Sequence, residues 1–191
     1  MSTVANMNTN TVLTEHEFIQ LSAKFPDLRL ELINGEALIM PPVGGDSGRL
    51  EGAYTGELYL WKKRHQGEVH GPSTGFRLPN GDIRCADASL LLPGNSAYAT
   101  QGQDFVDGVP DFLIEVRSPS DRMARLRSKM EAWIRAGCRL AWLIDPVQKR
   151  ALVYTPSGYD QPRIRRANYD EWLTGEDVVP ELELRPSDLD R

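Results

Sequence analysis

Apolar and polar positions along this chain change period several times, and each change marks an element. Met1 to Thr11 is polar and aperiodic, which predicts a loose tail. Thr14, followed three residues on by Glu17, forms a capping box ahead of Phe18 and Leu21 and predicts a short helix to about Phe25. From Leu28 the period becomes two, with Leu28, Leu30 and Leu32 on one side of a strand and Arg29, Glu31 and Ile33 on the other. Asn34-Gly35 tolerates the positive φ angles of a tight hairpin, so the chain returns through Glu36 to Met40. Pro41 to Gly45 breaks the sheet. Asp46 or Ser47 then caps a second helix, in which Leu50, Ala53, Tyr54, Leu58 and Trp61 recur at helical spacing to about His65.

The middle reads as a meander: strands at Glu68 to Gly71 and Phe76 to Leu78, a Pro79-Asn80-Gly81 turn, and one strand from Ile83 to Leu92. Gly94 to Val109 reads as a polar loop. Phe112, Ile114 and Val116 share one face of the next strand, opposite Leu113, Glu115 and Arg117. A helix follows, capped by Ser118 or Ser120, buried along Met123, Leu126, Met130, Trp133 and Ile134, and ended by Gly137. Leu140 to Ile144 is almost continuously apolar, as a centrally buried strand requires. A strand at Leu152 to Tyr154, a basic loop and the segment Pro180 to Leu184 complete one α/β domain over residues 12–191, a strand-helix-strand unit behind an antiparallel meander.

Composition narrows the class. With 40% hydrophobic and 26% charged residues in 191, the chain can bury a core, which excludes collagen, coiled coil and wholesale disorder. No run approaches the ~18 apolar residues of a membrane helix, and Met1 to Thr11 lacks the cationic start and apolar block of a signal peptide, so a cytoplasmic protein with no membrane association is expected. Cys85 and Cys138 sit singly in apolar runs and read as buried thiols. The formal net charge of -5 argues against a general polyanion binder, yet seven cations stand against two acids between Arg117 and Arg139. His16, His65 and His70 form no ligand set, Gly44-Gly45 begins no phosphate loop, and Ser118 lies in no nucleophile elbow. Trp61, Trp133 and Trp142 fall at core spacings.

Two acids stand out because they lie in apolar strand contexts, Asp87 between alanines and Glu115 between Ile114 and Val116. Carboxylates on neighbouring strands repel and demand a cation, and a hard divalent ion with one or two carboxylates, water and phosphate oxygens meets that demand. Alternation also carries Arg117 onto the Glu115 face. Lys129 lies at the rim of its helix's apolar stripe, from where a flexible stem bends toward the strand ends or snorkels to solvent.

The run PDFLIEVRSPSDRMARLRSKMEAWIRAGCRLAWLIDP, together with RLELINGEALIMPP, PPVGGDSGR, STGFRLPNGDIRCADASLLLP and the terminal PELEL, resembles the Uma-two family of "putative restriction endonucleases" within the PD-(D/E)xK nuclease superfamily. The likeness extends from Thr14 to Leu184. It implies a restriction-endonuclease-like core, a mixed central β-sheet flanked by helices, and Mg²⁺- or Mn²⁺-dependent hydrolysis of DNA phosphodiesters. Asp87 matches the first metal-binding aspartate, although the family's Pro-Asp reads Ala86-Asp87, and Glu115 matches the second acid. Arg117 stands where the superfamily has lysine, and an arginine does not serve as a general base. Lys129 matches the helix lysine that takes that role, and Glu31 the early glutamate expected as an extra metal ligand. Arg122, Arg125 and Lys129 are then expected to meet the DNA backbone, with affinity but no sequence preference. The competing reading is a catalytically silent DNA-binding or assembly module on the same fold. Exposed sheet edges and Trp-bearing helices leave a homodimer open.

Overall fold

The structure, a computed structural model, describes residues 12–99 and 105–190; the expected tail at Met1 to Thr11 and part of the expected loop at 94–109 lie outside them. Helix α1 (Glu15–Lys24) starts at the capping box, Thr14 and Glu17 satisfying each other's backbone N–H groups. The hairpin β1 (Arg29–Ile33) and β2 (Glu36–Met40) turns through Asn34 and Gly35, whose φ angles of 51° and 79° are the left-handed values such a turn requires. Helix α2 spans Gly45–Lys62, and the chain continues through β3 (Glu68–His70), β4 (Gly75–Arg77), β5 (Ile83–Cys85), β6 (Ala88–Leu91), β7 (Val106–Asp107) and β8 (Phe112–Val116). Helix α3 (Met123–Ala136) leads to β9 (Leu140–Asp145), β10 (Arg150–Thr155), β11 (Arg163–Asn168), β12 (Leu173–Thr174), β13 (Glu183–Leu184) and the short α4 (Pro186–Leu189).

Two larger sheets result. One has the order β2-β1-β5-β4-β7; the other, β11-β10-β9-β8-β6-β3, is mixed, with β8 and β9 parallel and joined through α3. The strict alternation of β8 divides the core. Phe112, Ile114 and Val116 pack with Leu50, Tyr54, Leu58 and Trp61 of α2, whereas Leu113 packs with Leu126, Met130 and Trp133 of α3. Helices therefore cover both faces of the mixed sheet, and β9, buried throughout and apolar up to its final aspartate, runs through the middle. No helix among the described residues is long and apolar enough to cross a membrane.

Five expectations need correction. The polar loop expected from Gly94 to Val109 holds a 3-10 turn at Ser96–Ala99 and the short strand β7, which pairs in parallel with β4. The single strand expected from Ile83 to Leu92 is two, β5 and β6, which belong to different sheets and separate at Ala86-Asp87. The basic loop is the strand β11: its arginines at 163, 165 and 166 are exposed, and its whole length pairs with β10. The residue at the start of α2 is Gly44, with no side-chain cap, rather than Asp46 or Ser47. Arg122 precedes α3, because Ser118 is engaged in a turn where its N–H and hydroxyl both donate to Asp121 at 2.8 Å.

Leu90 is fully buried on β6 beside α2. Leu90→Ala is expected to lower unfolding free energy by ~2–5 kcal/mol in urea titration, through lost burial and the cavity left behind.

Candidate active site

Where the chain crosses from one sheet to the other, its backbone leaves the ladder and aims a carboxylate between them. Asp87 follows β5 and precedes β6; its Oδ2 accepts the Val116 N–H at 2.8 Å, and its Oδ1 lies 3.1 Å from Arg29 Nη2. The antiparallel register pairs Ala88 with Ile114, so one step further puts residue 87 across from 115. Glu115, 3% exposed, points to the α3 side of the sheet as alternation requires.

Helix α3 meets it with two side chains one turn apart. Lys129 Nζ lies 2.8 Å from Glu115 Oε1, and the Trp133 indole N–H donates to the same oxygen at 3.4 Å. The same ammonium is 3.1 Å from Glu31 Oε1, which also accepts the Cys85 N–H at 3.1 Å. Lys129 is thus buried between two carboxylates from different sheets, neither at solvent nor merely at a rim. Burial opposes its charge, but Glu115, Glu31 and Asp87 outweigh that and hold its pKa above the ordinary lysine value. Burial likewise opposes ionisation of Glu31, yet Lys129 and the Cys85 N–H bring its pKa below the usual carboxylate range. Glu115 is displaced the other way, upward, by burial and by the charge of Asp87 against the pull of Lys129.

Among the residues singled out in the sequence, Glu31, Asp87, Glu115 and Lys129 converge on the floor of a cleft of about 720 Å³, and Arg122 and Arg125 line the same cleft from exposed positions. Arg117 does not line it. The parallel register of Val116 with Ile144 carries Arg117 to Asp145, a fully buried acid that takes its guanidinium at 3.1 Å and that of Arg150 at 3.3 Å. The expectation that Glu115 and Arg117 point into one site is therefore corrected: Arg117 belongs to a structural ion pair. Glu31 is in the site, but with its lysine and an N–H rather than as a free ligand.

Two residues were not legible as site residues. Arg29 shares a strand side with Glu31 but was assigned no role, and Asp87 brings it into the site. Glu51 also lines the cleft and is 7% exposed. Its signal was available: positions 51, 54, 58 and 61 follow helical spacing, which sets a carboxylate in the apolar stripe of α2. Burial and the charge of Asp87 push Glu51 up to about 7.

Among the residues that line the cleft, Glu31, Glu51, Asp87 and Glu115 are buried carboxylates, and Arg84 and Lys129 are buried cations, with Arg29 beside Asp87. No three Asp, Glu, His or Cys side chains among the described residues stand close enough to hold an ion by themselves. Mg²⁺ asks for less, one or two carboxylates with water and phosphate completing its shell. The adjacent hard oxygens of Asp87 and Glu115, in an acid-rich floor, fit it. Above the floor, the N-termini of α2 and α3 both open on the cleft, and neither has a side-chain cap. Such ends attract anions.

The Uma2 family model, described as "Putative restriction endonuclease", matches residues 16–187, and the chain belongs to that family. Among curated proteins there is no significant sequence match. A crystal structure from Anabaena variabilis, titled a "putative nuclease belonging to DUF820", superposes with a TM-score of 0.71 at 18% identity, covering 84% of this chain and 89% of that one. The fold is the restriction-endonuclease-like α/β core, with mixed sheets flanked by helices.

Glu51 binds its proton more tightly folded than unfolded, so between its ordinary value of 4.5 and about 7 it makes stability fall as pH rises. Glu51→Gln is expected to melt higher than the parent above pH 7, with the gain vanishing toward pH 4.5. Calorimetric melts across that range check this.

Proposed function

We propose that this protein is a metal-dependent endonuclease that hydrolyses DNA phosphodiester bonds, with Mg²⁺ or Mn²⁺ held by Asp87 and Glu115. Its membership of a family described as restriction endonucleases supports nuclease activity. The observation that carries the finer reading is the adjacency of two buried carboxylates and a buried lysine on the floor of a cleft rimmed by arginines.

A divalent cation bound there supplies a water of lowered pKa and neutralises charge on the phosphate. The chain's own groups do the rest. Asp87 is held to one orientation by the Val116 N–H and by Arg29, so its carboxylate is preorganised. Glu31 and Trp133 keep the Lys129 ammonium and the Glu115 carboxylate aligned. Lys129, kept charged, orients the attacking water or stabilises the oxyanion by hydrogen bonding; a lysine with a raised pKa is a donor and not a base. Arg122, Arg125 and the two open helix ends receive backbone phosphates, which gives affinity without a target sequence.

Incubation of supercoiled plasmid with Mg²⁺ or Mn²⁺ is expected to yield nicked and linear DNA, and EDTA to stop it. Asp87→Asn is expected to lower the rate by ~100-fold or more, the scale on which loss of a transition-state contact acts, while circular dichroism remains that of the parent. Intact plasmid with both metals would leave the catalytically silent DNA-binding module as the reading.

A further inference from the structure

We propose that Arg84 of β5 is a phosphate-binding residue of the cleft, offering a guanidinium already fixed by Asp82 to a backbone phosphate of the DNA. This rests on the nuclease reading and extends it to a residue that neither the sequence motifs nor the family match assigns.

Register carries Arg84 into the cleft. Leu32 pairs with Ile83 in the antiparallel ladder of β1 and β5, so the next step sets Arg84 across from Glu31 and on the same face of the sheet. That face, with Arg29, Glu31, Ile33, Leu38 and Met40, forms one wall of the cleft, and Arg84 is part of it. Only 8% of Arg84 is exposed, and a charge so buried needs a close partner. Asp82, two residues back and itself buried, is that partner: its Oδ2 accepts from Arg84 Nε at 3.1 Å and from Nη2 at 2.7 Å. Its Oδ1 accepts the Asn34 N–H at 2.9 Å, which ties the pair to the hairpin turn.

Both bonds from the guanidinium fall on one oxygen and leave Nη1 uncommitted. That group makes no hydrogen bond or ion pair with a described residue, and it is not sealed from solvent. Glu31, the carboxylate across the ladder, does not claim it, because Lys129 and the Cys85 N–H hold its Oε1. Arg122 and Arg125, by contrast, reach the cleft from exposed positions and lose rotamer freedom when they hold a ligand. Arginine N–H donors match phosphate oxygens in geometry, and a guanidinium oriented before binding gives up little entropy in meeting them. A purely structural Asp82–Arg84 pair would present no net charge to the DNA, so a substitution that conserves charge separates the two roles.

Fluorescence anisotropy of a labelled DNA duplex with the full chain, measured in Ca²⁺ across a salt series, tests this without reference to cleavage. Arg84→Gln is expected to weaken binding about tenfold and to reduce the slope of log affinity against log salt by about 0.9, the share of one phosphate contact. The double variant Asp82→Asn with Arg84→Gln leaves no lone buried charge and the same net charge as the parent, and the same reduction in slope is expected of it. Arg64→Gln removes an exposed cation beyond the end of α2 remote from the cleft and is expected to bind within about twofold of the parent with its slope unchanged. Circular dichroism checks the fold, and either Arg84 variant, once shown to be folded, decides the matter. Parent-like affinity and slope in that variant overturn the role of Arg84 and leave the nuclease reading intact. An equal loss in Arg64→Gln also overturns it, since long-range charge then accounts for the effect. Failure of the parent to bind DNA overturns both this inference and the DNA-cleaving reading.

Discussion

One buried ammonium ties the site together. Lys129 reaches from α3 to a carboxylate on the β1 hairpin and another on β8, so helix and both sheets meet at a single charge. Removing such a charge from water is costly, and it is tolerated only where partners are close and well aligned. Here the alignment is enforced by elements stable for other reasons: Leu126, Met130 and Trp133 seat α3 on the mixed sheet, and the parallel pairing of β8 with β9 sets the height of Glu115. The lysine helps to bring Glu31 below the usual carboxylate range, whereas full burial and the charge of Asp87 raise Glu115 in spite of it.

A second constraint is the strand break at Ala86-Asp87. A continuous strand would keep residue 87 in a ladder; the crossing between sheets frees it to face Glu115, with Val116 N–H and Arg29 fixing its two oxygens. Four buried carboxylates gather there, and exposed Arg122 and Arg125 and the uncapped N-termini of α2 and α3 line the same cleft. Carboxylates beside arginines and helix N-termini form the arrangement that a divalent ion and a phosphodiester would occupy together.

Much of this was legible from periodicity. The capping box at Thr14, the Asn34-Gly35 hairpin, the stripe of α3 and its end at Gly137 are local features, and each is found where the pattern put it. Asp87 and Glu115 stood out because charge is rare in an apolar strand, and their separation in sequence hid nothing once the strands paired. What could not be read was set by tertiary partners. Arg117 obeys alternation, but Asp145 on the next strand captures it. The break at Ala86-Asp87 leaves no trace in a segment apolar on either side. The arginines of β11 read as a loop because an edge strand needs no buried face. Glu51 falls at helical spacing with the apolar stripe of α2, but its place in the cleft depends on neighbours that only the fold supplies.

The central claim is that Asp87 and Glu115 share one divalent ion in this cleft. Anomalous diffraction from a crystal soaked in Mn²⁺ tests it most directly: the account predicts one strong peak within ~2.5 Å of a carboxylate oxygen of each residue, a generous limit for oxygen ligation of such an ion. A peak bound elsewhere on the chain, with Asp87 and Glu115 still engaged by their protein partners alone, would contradict it.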